Sequence, residues 1–164
     1  MLARAVTFAL VGLEPRRVEV EAHIQGSKTP SLTIVGLADR ACQEAKQRVR
    51  SGILSAELEF PGSRITVNLA PAELKKEGSG FDLPIALALL AASHQLPRAR
   101  LAEHASCGEL ALDGRLRRVG GVLAVAEGAR RADLERVICP YEACAEAALA
   151  VSYTHLTLPT ILLV

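Results

Sequence analysis

From Leu83 to Ala92 this chain carries no polar side chain at any position. A helix that is apolar all round has no face to offer water, so other elements must wrap it on every side. The run is about half the ~20 residues that a membrane span requires. It is therefore read as the buried centre of a soluble domain, and the rest of the chain as its cover.

The cover is legible as strands and amphipathic helices. Ala5–Leu10 is β-prone, with Gly12 and Pro15 as breakers after it, and Val18–Ile24 alternates with period two. Gly26–Pro30 reads as a loop and Leu32–Val35 as a short strand closed by Gly36. Asp39 is placed to cap a helix whose Ala41, Ala45, Val49 and Ile53 form one apolar stripe, with Glu44, Lys46, Gln47, Arg48 and Arg50 outside. Arg64–Leu69 alternates as a strand ended by Pro71. Asp82 is the expected N-cap of the apolar helix, with Pro84 in its first turn and Pro97 beyond its end. Asp113-Gly114 is the strongest hairpin signal, with Leu110 and Leu112 leading in and Leu116 and Val119 leading out. Gly120-Gly121 opens a further helix through Val125, Ala126 and Ala129; Val137–Cys139 is a last strand and Glu142–Ala150 a last helix. Strand groups interleaved with helices give an α+β sandwich.

The 164 residues suit one domain with a real core. Net charge is +1, which gives no nucleic-acid signature at whole-chain level. The start shows no signal-peptide pattern, so a cytoplasmic protein is expected. Cys139 and Cys144 are one loose pair, while Cys42 and Cys107 stand alone. Zinc sites usually combine two close pairs, so these thiols are read as small buried hydrophobes and no metal is assigned.

Two phosphate-binding patterns fail. Gly26-Ser27-Lys28-Thr29 has Ser27 where a P-loop needs glycine before its lysine, and Ala22 where the earlier glycine should stand. Gly78-Ser79-Gly80 has Leu83 at the third position of a dinucleotide fingerprint. Ser79 stands close in sequence to Lys75 and Lys76, but the glycines suit a tight turn and both lysines are expected in water. His23, His94 and His104 have no partner motif. Arg115, Arg117 and Arg118 follow the hairpin turn and are the candidates for contact with DNA phosphates or a neighbouring subunit.

A series of short motifs carries a family likeness. Ile34-Val35-Gly36-Leu37, Arg48-Val49-Arg50-Ser51, Ile65–Ala72, Lys76-Glu77-Gly78, Phe81–Ala86 and Gly108-Glu109-Leu110 stand in this order. Together they resemble the amino-terminal domain of the magnesium-chelatase-like AAA+ ATPases, the ComM/YifB family, over residues 1 to 150. One departure is Ala143, where the family pattern has Asn. The resemblance implies the fold of ribosomal protein S5 domain 2, shared with the proteolytic domain of Lon. Set on the Lon frame, Asp82–Leu87 puts Ile85 at the nucleophilic serine, and Gly120-Gly121-Val122-Leu123 puts Leu123 at the lysine that takes its proton. Hydrocarbon can neither attack nor accept a proton. The resemblance thus implies a non-enzymatic module with no catalytic, cofactor or metal residues of its own. Its parent would bind ATP and Mg²⁺ in an AAA+ module absent from this chain, assemble as a homohexamer, and drive DNA branch migration in natural transformation. The domain would aid ring assembly or engage DNA. The contrasting class is an active Lon-like ATP-dependent serine peptidase; a small-molecule kinase of the same superfold would need a glycine- and serine-rich ATP loop that is nowhere in the chain.

Residues 151 to 164 break from this pattern. Val151–Thr160 holds no Asp, Glu, Lys or Arg and follows an alanine- and glutamate-rich helix abruptly. The string is similar to a translated transposon-end adapter of sequencing libraries, which makes it a non-native tail set apart from fold reasoning. The domain is then 1–150, truncated before the ATPase module.

Overall fold

The computed structural model describes residues 1–27 and 29–150, so the tail from 151 lies outside the described residues. Helix α2 (Asp82–Ala92) is buried along its whole length, as its composition demands. It lies with α1 (Arg40–Ser55) against one face of a six-stranded mixed sheet. The sheet contains β1 (Leu2–Val11), β2 (Glu14–Gln25), β3 (Ser31–Val35), β4 (Arg64–Ala70), β5 (His104–Ser106) and β8 (Arg136–Ile138). Its order is β3-β4-β2-β1-β5-β8. β1, β2 and β4 run antiparallel in turn, and the outer neighbours β3, β5 and β8 pair parallel. The architecture is mixed α/β, in keeping with the α+β expectation.

Strand alternation divides the core in two. Ala3, Ala5, Val18, Val20, Ala22 and Ile24 pack with α1 and α2, whereas Val6 and Phe8 join Val122, Val125 and Ala126 of α4 (Val122–Arg131) on the opposite face. Helix α5 (Cys144–Ala150), entered through a 3₁₀ turn at Tyr141–Ala143, completes that second layer. The single last helix expected from sequence is therefore two pieces. A short α3 (Arg98–Ala102) follows α2, and the two-residue strands β6 (Glu109–Leu110) and β7 (Leu116–Arg117) form the Asp113-Gly114 hairpin. Among the described residues, no helix is long and apolar enough to cross a membrane.

Three local expectations change. Pro15 lies inside β2 rather than breaking it. It sits opposite Leu10 in the β1–β2 register, where its own backbone nitrogen points away from β1 and no ladder bond is lost. Asp82 is the first helical residue and not the cap; Phe81 precedes the helix without a side-chain cap. Arg48 is not on the wet side of α1, because the Asp82 carboxylate draws it inward.

Gly128 explains how α4 reaches the sheet. A Cβ at this position would stand 2.3 Å from Cδ1 of Phe8, so the aromatic ring rests directly on helix backbone. Alanine is favoured over glycine in a helix by about 1 kcal/mol. Gly128→Ala is nevertheless expected to destabilise by about 1–2 kcal/mol, since overpacking forces the ring or helix to shift. Urea unfolding of the variant checks this, and an unchanged or raised midpoint would contradict the packing.

Candidate functional site

The glycine loop and the Gly120-Gly121 turn, separate in sequence, come together to line one cleft of about 540 Å³, with Gly80 beside Val119. Thr7, Phe8, Ala9 and Leu10 of β1 line a third side, with Lys75 and Arg118 at the rim.

The loop wall is fixed by one carboxylate. Asp39 caps α1 by accepting from the Cys42 amide at 2.8 Å, and its second oxygen accepts from the Gly78 amide at 3.0 Å. Burial alone would raise its pKa, but these amide donors outweigh it and hold the carboxyl below its ordinary range. Backbone bonds between Asp39 and Lys76 and between Lys76 and Leu37 zip the loop onto the α1 entry. Cys42 donates its thiol to the Gly78 carbonyl at 3.2 Å, and burial, then Asp39, pushes its pKa up to about 12. A thiol held this way in the loop wall carries little thiolate, the form that reacts.

The start of α2 is pinned by Asp82, which is wholly inaccessible. It accepts from Arg48 Nε at 2.6 Å and Nη2 at 3.0 Å, and from the Leu110 amide at 3.1 Å. Arg48 also donates to the Ala41 carbonyl. One bidentate pair thus joins α1, α2 and the β6–β7 hairpin behind the cleft. Gly108 donates to the Gly80 carbonyl and accepts from Leu83, which holds the loop to the chain leaving β5.

The Gly120-Gly121 wall is held from α5. Glu146 accepts from the Leu123 amide and from Arg118, both at 3.2 Å, so it caps the first turn of α4 and neutralises the rim arginine. Lys75 is similarly paired with Glu77.

Among the described residues, no hydrogen bond joins the Ser79 hydroxyl to a base, and Lys75 in the same lining is held by Glu77. Ser79 lines the cleft. Lys76, contrary to the expectation of a solvated side chain, is fully buried and donates to the Pro71 carbonyl. Burial lowers its pKa, as a base would need, but the amine is turned away and Lys76 is not among the cleft-lining residues. Ile85 is fully buried in the α2 core, and Leu123 is 42% exposed on α4. Neither lines the cleft. The structure therefore does not bring these two positions together at the surface where the glycine walls meet.

The hairpin arginines are exposed and each faces a carboxylate: Arg115 with Asp113 at 2.7 Å, Arg117 with Glu109 at 3.8 Å and Arg118 with Glu146 at 3.2 Å. They form a charge-balanced patch, not a cationic one. Cys42, Cys107 and Cys139 are buried and Cys144 is half-buried, all as free thiols, with Cys139 and Cys144 Sγ atoms 3.9 Å apart. Among the described residues, no three His, Cys, Asp or Glu side chains converge to hold a metal.

Sequence reasoning passed over the Arg48–Asp82 pair and the burial of Lys76. A signal for the first was present. An acid at the head of a helix with no wet face must itself be buried, and a buried carboxylate needs a cation.

Residues 20–143, which include both glycine walls, match the family described as subunit ChlI of Mg-chelatase. The chain belongs to the Mg-chelatase ChlI family. Within it, this ChlI-type chain is 43% identical over 142 residues to the competence protein ComM of Haemophilus influenzae, covering 87% of the chain and 28% of that relative. It is 46% identical over 148 residues to the uncharacterised protein YifB of Salmonella typhimurium, with 90% and 29% covered. With YifB of Escherichia coli it shares 49% identity over 120 residues, 73% of the chain and 24% of the relative. The chain spans under a third of the length of these relatives. It is ComM/YifB-like, and its magnesium-chelatase likeness runs from β2 through the 3₁₀ turn before α5.

Proposed function

We propose that this chain is the non-catalytic amino-terminal module of a cytoplasmic, magnesium-chelatase-like AAA+ ATPase of the ComM/YifB type, with the fold of ribosomal protein S5 domain 2. The single observation that supports the non-catalytic reading is the cleft itself: among the described residues no hydrogen bond joins its serine to a base, since Lys75 in the same lining is paired with Glu77 and Lys76 is turned to the Pro71 carbonyl. An unassisted hydroxyl is a poor nucleophile, which disfavours the Lon-like peptidase. The residues here do not fit ATP and Mg²⁺ either, since the Gly26–Thr29 and Gly78–Gly80 loops lack P-loop spacing. Nucleotide chemistry belongs to the remainder of a longer parent. That parent works as a homohexameric ring on branched DNA during natural transformation, in line with the competence protein among its relatives.

Within that ring the module's role is assembly more than DNA contact. A phosphate approaching Arg115, Arg117 or Arg118 would first have to displace a carboxylate from each, whereas a neighbouring subunit can meet a balanced patch with balanced charges.

The test uses the purified chain, and separately the full-length parent with ATP, incubated with unfolded casein and a fluorophosphonate probe. Neither turnover nor labelling is expected. Labelling that disappears in Ser79→Ala would make Ser79 a working nucleophile and overturn the reading. In the parent, replacing Arg115, Arg117 and Arg118 by Ala should weaken hexamer formation in sedimentation while assembled rings keep their DNA affinity. The reverse pattern would assign the patch to DNA.

A further inference from the structure

The third side of the cleft is a strand edge with nothing paired to it. Gly12 and Leu13 make a two-residue turn, with Gly12 at φ +62°, between Val11 and Glu14. Such a turn makes Val11 and Glu14 a hydrogen-bonded pair, so odd-numbered residues of β1 turn both backbone groups toward β2. The Met1–Ile24 backbone bond at the far end agrees with this phase. Even-numbered residues therefore present N–H and C=O to the opposite edge. β5 meets that edge at Val6–Ala105 and then leaves it, as Cys107 bonds to Ile138 and Gly108 to Gly80. Beyond this point, no hydrogen bond engages the outward N–H and C=O groups of Phe8 and Leu10 among the described residues.

We propose that this cleft receives an extended polypeptide segment, which adds to β1 as a strand beside Phe8–Val11. Two N–H and C=O sets spaced two residues apart, ~6.6 Å along the strand, match the repeat of another strand's backbone. The lining suits a main chain as well, because a Cβ at Gly78, Gly120 or Gly121 would stand in open space there and none is present to obstruct it. The rim cations Lys75 and Arg118 are already paired with Glu77 and Glu146. The segment is therefore uncharged, and its apolar side chains rest beside Leu10 and Val11, which are 54% and 47% exposed. An unpaired edge flanked by exposed apolar side chains is otherwise an aggregation hazard that proteins cover. This inference does not depend on the ATPase assignment.

The experiment takes the whole chain and a fluorescein-labelled peptide of alternating Val and Thr. Binding is read by anisotropy, and the Phe8 and Leu10 amides by hydrogen exchange. Exchange at those two amides should slow by about tenfold or more at saturation. The same peptide N-methylated along its whole backbone should not bind. Leu10→Pro removes an outward donor without costing a β1–β2 bond, and should weaken binding about tenfold. Gly120→Leu gives an independent block: its Cβ meets nothing within 4 Å, so a side chain can leave the wall here. It too should abolish binding, and it decides the matter if the proline variant does not fold. Binding that leaves Phe8 and Leu10 exchange unchanged, equal affinity for the N-methylated peptide, or no binding at all would overturn the proposal. Slowing of the same amides by self-association without peptide would assign the edge to a second copy and overturn it as well.

Discussion

Replacing Arg48 by Met is expected to lower the free energy of unfolding by about 3–5 kcal/mol, because it strands a buried carboxylate without its cation. Asp82 is wholly inaccessible and takes two of its three hydrogen bonds from Arg48. The Leu110 amide alone cannot replace a guanidinium. The deficit should also depend on pH, with a defined sign. Burial already raises the Asp82 pKa above its ordinary range, against the opposing pull of Arg48 and the Leu110 amide. Without Arg48 the folded value rises further, while the unfolded value stays where it was. Between the two values the folded protein holds a proton that the unfolded chain has released. Stability of the variant therefore falls as pH rises through that window and is recovered below it. Urea titrations at neutral and mildly acid pH check this. A deficit below about 1 kcal/mol, or one equal at both pH values, would mean that the pair does not hold the helix start. The double variant R48M/D82N should recover much of the loss, since removing both charges is far cheaper than removing one.

That pair marks where sequence reading reaches its limit. Periodicity exposed the elements whose faces differ: alternating β2 and β4, striped α1 and α4, and α2 with no wet face at all. It missed β5, whose three residues are too few to alternate. It placed Asp39 correctly as a cap, because an N-cap is a local contract between one side chain and the next turn. Asp82 has the same local signature, yet its partner stands 34 residues away, and only the packing of α1 on α2 reveals which role it takes. Lys76 fails for the same reason. Nothing local distinguishes it from Lys75, but the loop turns one side chain into the protein and the other to water. Both glycine walls of the cleft were visible as motifs. Their meeting across the open edge of β1 was not, because it follows from where β5 parts from its neighbour.

The second large effect separates the two positions set on the Lon frame. Ile85→Ser is expected to destabilise by roughly 3–5 kcal/mol, whereas Leu123→Lys should change stability by less than about 0.5 kcal/mol. Ile85 is 0% exposed within an all-apolar helix, so the shorter side chain leaves a cavity and a hydroxyl without a partner. Leu123 is already 42% exposed, and a lysine there extends into water at no desolvation cost. A pair of hydrocarbons jointly sealing one former cleft would instead couple the two substitutions. Here one side chain belongs to the α2 core and the other to the surface of α4, so the double variant should equal the sum of the singles. It should also remain inert toward casein, because a serine at Ile85 would not line the cleft and no donors are arranged around it for an oxyanion. Thermal and urea unfolding of both singles and the double, with the casein assay on the same samples, measure all of this. A large loss at Leu123, or a coupling above about 1 kcal/mol, would show that the two positions share a pocket after all.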